Sequence, residues 1–227
     1  MAGIKENSEL EFVWVEPEKA IKHKDNKVAD NIKTGFYISK YLVTQHLWET
    51  VTGNNPSWFK KGGNYPVEYV SLKQIFNEFL PALNDMFKGS GFGFRLPTEA
   101  EWEYSCMAGS EKTYYWGNSF DEAYCWYHDN SGSTTHQVGM KLPNACGIYD
   151  MTGNVWEWCQ NLYNDYPAYS LIEISKHKPA DDAIFSCRGA SWFRDKEYCR
   201  TLYRNFARMD SRYSDLGFRL VLFKDPE

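Results

Sequence analysis

The sequence lacks the histidine and cysteine patterns that bind transition metals. Its five histidines include no HxxxH or HExxH pair, and its six cysteines include no CxxC. Zinc and non-haem iron sites usually depend on such clusters. A histidine-based iron or zinc centre is therefore disfavoured. Most of the cysteines are expected to be small buried hydrophobic residues rather than parts of a dense disulfide framework.

The chain also lacks a long apolar run and an excess of positive charge. No apolar stretch is long enough to cross a membrane, and the polar sequence after Met1 has no signal-peptide pattern. The net charge is −5, which disfavours nucleic acid as a partner. We interpret residues 1–10 as the remnant of a tag or leader, and residues 11–227 as one domain.

Aromatic residues make up 17% of the chain, and its regular segments are short. Alternating patterns predict strands at residues 11–15 and 35–41, and a helical pattern over residues 72–87 is expected to be interrupted at Pro81. Side-chain N-caps are predicted at three helix starts, namely Thr44, Ser71 and Thr98. Short strands and helices interspersed with long loops predict a single α+β domain.

Residues 187–220 are rich in aromatic and arginine side chains. A turn signal at Arg188–Trp192 opens this stretch and a strand signal at Leu216–Leu222 closes it. Neither a clean helix nor a clean strand is predicted between them. Such side chains on a loop-rich surface suit a ligand face, because they combine large contact area with adaptable polar ends. The alternative is a long irregular packing segment.

A short turn before residue 158 holds several oxygen donors. Asp150, Gly153, Asn154 and Glu157 place carboxylates and backbone carbonyls close together in sequence. Calcium binds several oxygens of this kind at short range. The turn therefore suggests a calcium site, the alternative being that the two acidic side chains are only solvated.

Five blocks of sequence, in this order and spacing, resemble the formylglycine-generating enzyme (sulfatase-modifying factor) family. They are Phe36–Thr44, Arg95–Glu103, Gly147–Trp158, Arg188–Trp192 and Leu216–Arg219. The resemblance runs from about residue 10 to residue 223. It implies a C-type-lectin-like domain of the formylglycine-generating-enzyme type, loop-rich, with short helices and small antiparallel sheets.

The family's activity is put in doubt by one position. The resemblance implies a copper- and oxygen-dependent conversion of a substrate cysteine to formylglycine, with copper held by two cysteines five residues apart. Here the second of them matches Cys199, whereas the first falls on Arg194. An arginine cannot ligate a metal and repels a cation, and one thiol cannot supply a two-coordinate copper site. We therefore expect no enzyme activity. Cys199 would be catalytic only in the alternative of a rewired oxidase.

Another branch of the same fold, the variable proteins of diversity-generating retroelements as found in treponemes, is a better match. In that branch the C-terminal segment is the variable, ligand-binding region, which implies residues 188–220 here. A fixed frame matches at Arg188–Trp192, Cys199–Arg200, Arg204, Arg212 and Gly217–Leu220. The positions between would contact ligand. They are Phe193, Arg194, Asp195, Glu197, Tyr198, Tyr203, Asn205, Phe206, Tyr213, Ser214 and Asp215.

This resemblance implies a non-enzymatic protein that binds an unidentified protein or surface ligand and needs no cofactor. It implies display at a bacterial surface through a lipid anchor on a leader outside this sequence, with a cytoplasmic location left open. The family resemblance also implies a structural calcium on the Asp150 and Glu157 side chains and the Gly153 and Val155 carbonyls. A remaining alternative is an inactive scaffold without a variable site.

Overall fold

The computed structural model describes residues 10–17, 32, 34–163 and 183–224, and almost all of the segment interpreted as a leader remnant lies outside them. Two four-stranded sheets organise the chain. Their strands are β1 (Phe12–Val15), β2 (Phe36–Ser39), β3 (Phe92–Arg95), β4 (Trp156–Leu162), β5 (Ile184–Arg188), β6 (Arg204–Arg208), β7 (Leu216–Gly217) and β8 (Val221–Lys224). The first sheet has the order β1-β2-β8-β3 and is antiparallel throughout.

The helices are short and begin where their caps predict. They are α1 (Gln45–Thr52), α2 (Leu72–Gln74), α3 (Leu80–Met86) and α4 (Glu99–Met107). The Thr44 side chain accepts from the Leu47 amide, and capping boxes begin α2 at Ser71 and α4 at Thr98. A π-helical turn, Ile75–Phe79, joins α2 to α3 just before Pro81. This π-helical turn confirms the predicted interruption near Pro81. The regular helix is disturbed there because proline has no N–H to donate to the preceding turn. No helix among the described residues is long and apolar enough to cross a bilayer.

The second sheet has the order β6-β5-β4-β7 and differs from expectation in two ways. Residues 204–208 were expected to form no clean strand, yet β6 pairs antiparallel with β5 over its whole length. The reason is that Phe206 faces outward and Ala207 inward, the reverse of the usual hydrophobic pattern. The β4–β7 pair is parallel, an exception to the expected antiparallel sheets.

An aromatic core lies beneath both sheets. Trp48 of α1 stacks on Phe79 with ring centres 5.0 Å apart, and Phe218 meets Phe79 edge-on at 5.2 Å. All three are fully buried. Five of the six cysteines are also buried and none forms a disulfide, which confirms their prediction as small core residues. This core fixes the end of the chain, and with it one wall of the cleft described next.

Candidate ligand-binding site

An open cleft of about 460 Å³ lies between the edge strand β6 and two loops, residues 192–194 and 213–215. Its floor is formed by side chains of the second sheet, namely Trp156, Cys187, Ala207 and Leu216. Seven of the eleven side chains predicted to contact ligand line it: Phe193, Arg194, Asn205, Phe206, Tyr213, Ser214 and Asp215. Residues far apart in sequence thus meet at one place.

Three aromatic side chains on the rim of the cleft face solvent. Phe193 is 55% exposed, and Phe206 and Tyr213 are each 51% exposed. Large apolar side chains are rarely left so exposed close together unless they contact something else. Between them the buried Trp192 packs edge-on against Phe193 and donates its indole N–H to the Ser214 carbonyl at 3.1 Å. The rim therefore rests on a fixed support.

Four predicted ligand residues lie outside the cleft lining, namely Asp195, Glu197, Tyr198 and Tyr203. The Asp195 carbonyl accepts from the Tyr198 amide in a short 3-10 helix, Lys196–Cys199. The half-buried Tyr198 and Tyr203 rings lie 4.7 Å apart and pack against the core. Tyr203 lines a separate basic depression with Lys112 and Arg200. The two tyrosines expected to anchor a ligand are thus partly structural.

The loop that begins the cleft is held by a turn of left-handed backbone. Gly189 and Ala190 have φ values of 97° and 58°. The Gly189 carbonyl accepts from the Gly153 amide at 2.6 Å, and the Trp192 amide donates to the Asn154 carbonyl at 2.9 Å. These bonds join the turn at residues 189–192 to the turn at residues 153–154, so the two sequence blocks support each other.

A buried ion network joins α4 to the strands beneath the cleft. Arg188, fully buried on β5, donates to Glu103 and, at 3.4 Å, to Glu99. Arg204 of β6 donates twice to Glu99, at 2.5 and 2.8 Å. The Ser186 hydroxyl also donates to Glu99, at 2.6 Å. The network fixes the position of β6, which carries Asn205 and Phe206. The predicted frame residues Arg188 and Arg204 are therefore structural.

The two carboxylates predicted to hold calcium already have partners. Arg219 donates to both Glu157 oxygens, at 2.5 and 2.9 Å, in a fully buried pair. Asp150 accepts from the Gly139 amide at 2.7 Å, and burial raises the pKa of its carboxyl. A cation at Glu157 would have to displace a guanidinium, so these residues do not fit calcium as they stand. In the described ranges, no three His, Cys, Asp or Glu side chains converge as a metal cluster.

A buried glutamate, not found from the sequence, holds the loop beside the cleft. Both Glu68 oxygens accept backbone amides, from Trp58 at 3.1 Å and Phe59 at 2.7 Å. Burial raises the pKa of Glu68 to about 7. Phe59 in turn packs edge-on against Trp192 at 5.4 Å. A glutamate between two apolar residues, Val67 and Tyr69, was the only available signal.

A second thiol lies beside Cys199. The Cys125 and Cys199 side chains are neighbours, both are buried, and neither forms a disulfide. The adjacent Cys125 thiol and burial together raise the pKa of Cys199, whose Sγ donates to the Asp195 carbonyl at 4.0 Å. The His128 amide donates to the Arg194 carbonyl at 3.0 Å, which holds the two segments side by side. Sequence reasoning missed the pair because nothing local relates the two residues.

The chain is similar over most of its length to known proteins. A family model, the sulfatase-modifying factor enzyme 1-like domain, matches residues 6–224. The formylglycine-generating enzyme of Mus musculus is 36% identical over 223 residues, covering 86% of this chain and 55% of that protein. Chaperone protein LppX of Paenibacillus barcinonensis is 35% identical over 173 residues, covering 55% of this chain and 61% of that protein. The chain thus spans little more than half the length of these curated relatives.

Solved structures share the fold over almost the whole chain. Treponema denticola variable protein 1 superposes with a TM-score of 0.73 and 27% identity, covering 92% of this chain and 94% of that one. PvdO from Pseudomonas aeruginosa superposes with a TM-score of 0.67 and 26% identity, covering 83% and 80%. The predicted α+β, C-type-lectin-like domain and its likeness to a treponemal variable protein are confirmed.

Proposed function

We propose that this chain, which belongs to the family of sulfatase-modifying factor enzyme 1-like domains, is a non-enzymatic binding protein that holds a protein or surface ligand in the aromatic cleft. One observation carries the proposal. Seven of eleven side chains, selected from sequence as ligand contacts, line a single open cleft. Three of them, Phe193, Phe206 and Tyr213, leave about half of their side-chain area exposed at the cleft.

The proposal includes diversification of residues 188–220 by a retroelement and display at a bacterial surface. The division between frame and face supports the first part. Arg188 and Arg219 of the frame are fully buried and ion-paired, whereas most positions proposed to vary are exposed or half-buried. Exposed substitutions usually change stability little, so such a face tolerates many sequences.

Sequencing the 3′ end of this gene in a population of the source organism tests the diversification. Substitutions confined to adenine positions of a nearby template repeat, and clustered between codons 193 and 215, are expected. An invariant 3′ end without a template repeat would remove this part of the proposal. Protease treatment of intact cells tests display, since a displayed domain is cleaved and an internal one is protected.

A peptide-display selection against the purified protein tests the binding function directly. Peptides selected on the wild-type protein are expected to lose most of their affinity for Phe206→Ala and Tyr213→Ala. Met140→Ala is a matched control, because Met140 is 63% exposed but does not line the cleft. Equal affinity for all three variants, or large losses of melting temperature in the cleft variants, would contradict the proposal.

The thiol pair favours a second candidate function, a copper-dependent oxidase. Arg194 stands where the family resemblance places a first copper-binding cysteine, yet Cys125 supplies another thiol beside Cys199. Thiolates are the ligands that copper(I) prefers, so the donor set fits. Cys125 and Cys199 would hold the metal after each loses its proton, and bound copper would supply oxygen activation.

Titration with copper(I) against a competing chelator separates the two functions. One tightly bound copper per chain, lost in Cys125→Ser and accompanied by oxygen uptake with a thiol peptide, would favour the oxidase. The absence of stoichiometric copper would end this candidate and leave the binding function unaffected.

A further inference from the structure

Arg194 is fixed at the edge of the cleft by its backbone. Its amide donates to the Ser191 carbonyl at 3.1 Å, and its carbonyl accepts from the His128 amide at 3.0 Å. The first bond belongs to the turn at residues 191–194, and the second ties this turn to a constant part of the chain. The side chain therefore begins from a defined position.

The Arg194 guanidinium is held between two aromatic rings. It lies 5.6 Å from the ring centres of both Phe193 and Tyr198. A cation between aromatic faces is attracted to both rings and is restricted in its motion. Its hydrogen-bond donors therefore have a preferred direction before any ligand binds.

Those donors have no partner in the described part of the chain. The Arg194 side chain makes no hydrogen bond or ion pair there, and its Nε is buried. In contrast, Arg95, Arg188, Arg204 and Arg219 each donate to a glutamate. A buried donor without an acceptor is unfavourable, and a ligand acceptor placed there would relieve it.

One acidic residue shares the cleft with Arg194. Asp215 accepts from the Ser191 hydroxyl at 2.7 Å rather than from Arg194. Burial raises the pKa of Asp215, while the Ser191 hydrogen bond and the charge of Arg194 act in the opposite direction. Arg194 therefore lies close enough to Asp215 to interact with its charge, but the hydrogen-bond donors of its guanidinium remain available to a ligand.

A planar guanidinium forms its strongest contacts as paired hydrogen bonds to a carboxylate, particularly where water is partly excluded. We propose that Arg194 is a specificity-determining residue that selects protein ligands placing an aspartate or glutamate side chain in the cleft, next to the Phe193 and Tyr198 rings. This inference rests on the binding function proposed above and specifies the chemistry of its ligand.

The test uses a random peptide library displayed with its C-termini fused, so that only side chains supply carboxylates. Peptides selected on the wild-type protein are expected to be enriched in Asp and Glu over the unselected library. The enrichment should vanish for Arg194→Gln and persist for Arg200→Gln. The second variant is the control, because it removes the same charge from an exposed arginine outside the cleft. Arg194→Glu is expected to select Lys and Arg instead.

The affinity of a synthetic peptide from the selection measures the contribution of the acidic side chain. Replacing its critical acidic residue by the amide is expected to weaken binding to the wild-type protein about tenfold or more, and to change binding to Arg194→Gln little. The melting temperature of Arg194→Gln should stay within about 2 °C of wild type, because the side chain makes no hydrogen bond that folding depends on.

The outcomes distinguish this inference from the function on which it rests. Selected peptides that bind at the cleft without acidic enrichment, or whose Asp or Glu matters equally to Arg194→Gln, would overturn the inference and leave the binding function standing. If the wild-type protein selects no cleft-binding peptide at all, both are overturned.

Discussion

Replacing Arg219 by methionine tests whether this buried residue of the predicted frame is structural. Arg219 is fully buried and donates to both oxygens of Glu157, to the Ser39 carbonyl at 3.1 Å and to the Tyr149 carbonyl at 2.9 Å. Methionine keeps most of the aliphatic stem and removes the guanidinium. The change therefore isolates the polar contacts from the packing.

The expected loss follows from what remains behind. Glu157 is left as a buried carboxylate without its counter-ion, and two carbonyls lose a donor. Breaking a buried pair in this way costs about 3–5 kcal/mol of the free energy of unfolding. That is a large share of the roughly 5–15 kcal/mol that stabilises a typical domain.

Urea denaturation at neutral pH measures this loss. Arg200→Met is the matched control, because Arg200 is an exposed frame position. Its Nε donates to the Glu197 carbonyl and its guanidinium lies 5.7 Å from the Tyr203 ring centre, so its cost should stay near about 0.5 kcal/mol. Adding Glu157→Gln to Arg219→Met removes the unpaired charge and is expected to restore part of the stability.

The pH dependence provides a second check. Burial raises the pKa of Glu157 and Arg219 lowers it, so Arg219→Met should raise it further. A carboxyl with a raised folded pKa contributes stability that is complete below its unfolded pKa and is lost as pH rises through the folded value. Arg219→Met should therefore lose stability more steeply than wild type above about pH 4.5. A loss below about 1 kcal/mol, or one independent of pH, would refute the structural role assigned to this pair.

Three further predictions concern the supports of the cleft. The pKa of Glu68 is raised from 4.5 to about 7 in the fold, so its contribution to the free energy of unfolding should be greatest below pH 4.5 and fall by about 3 kcal/mol as pH rises through 7. Glu68→Gln should flatten this part of the stability profile, and an unchanged profile would contradict the prediction. Gly153→Ala should destabilise by about 1–3 kcal/mol in denaturation, because φ is 82° and the added Cβ would clash with the Trp126 carbonyl. Chelation of calcium should leave the melting temperature unchanged, since Arg219 already neutralises Glu157, and a clear fall would instead support the predicted calcium site.

Features set by neighbouring residues were predictable from the sequence. The N-caps at Thr44 and Thr98 and the interruption before Pro81 depend on groups within one helical turn. Strand β2 buries Phe36 and Ile38 and exposes Tyr37, as its alternating pattern predicts, whereas β1 is half-buried at both Phe12 and Val13 and does not alternate cleanly. The five family blocks identified the fold because each corresponds to a turn or cap with a definite geometry.

What the sequence could not predict depends on tertiary contacts. Strand β6 exposes Phe206 and buries Ala207, so its pattern is the inverse of an ordinary strand, and only pairing with β5 defines it. The contact between Cys125 and Cys199 is decided by how two distant loops pack. The shift of Tyr198 and Tyr203 toward the core likewise reflects packing that no local pattern records.

The position of Arg194 explains how this scaffold could vary the chemistry of its cleft without losing its fold. Its backbone is held from both sides, at Ser191 and His128, whereas its side chain makes no hydrogen bond or ion pair to any described residue. Substituting such a residue changes the chemistry of the cleft at little cost in stability. The buried pairs of Arg188 and Arg219 behave in the opposite way, because losing either partner leaves a charge in the core. A protein with this arrangement can therefore vary the residue at position 194 while its fold is maintained by the buried ion pairs of Arg188 and Arg219.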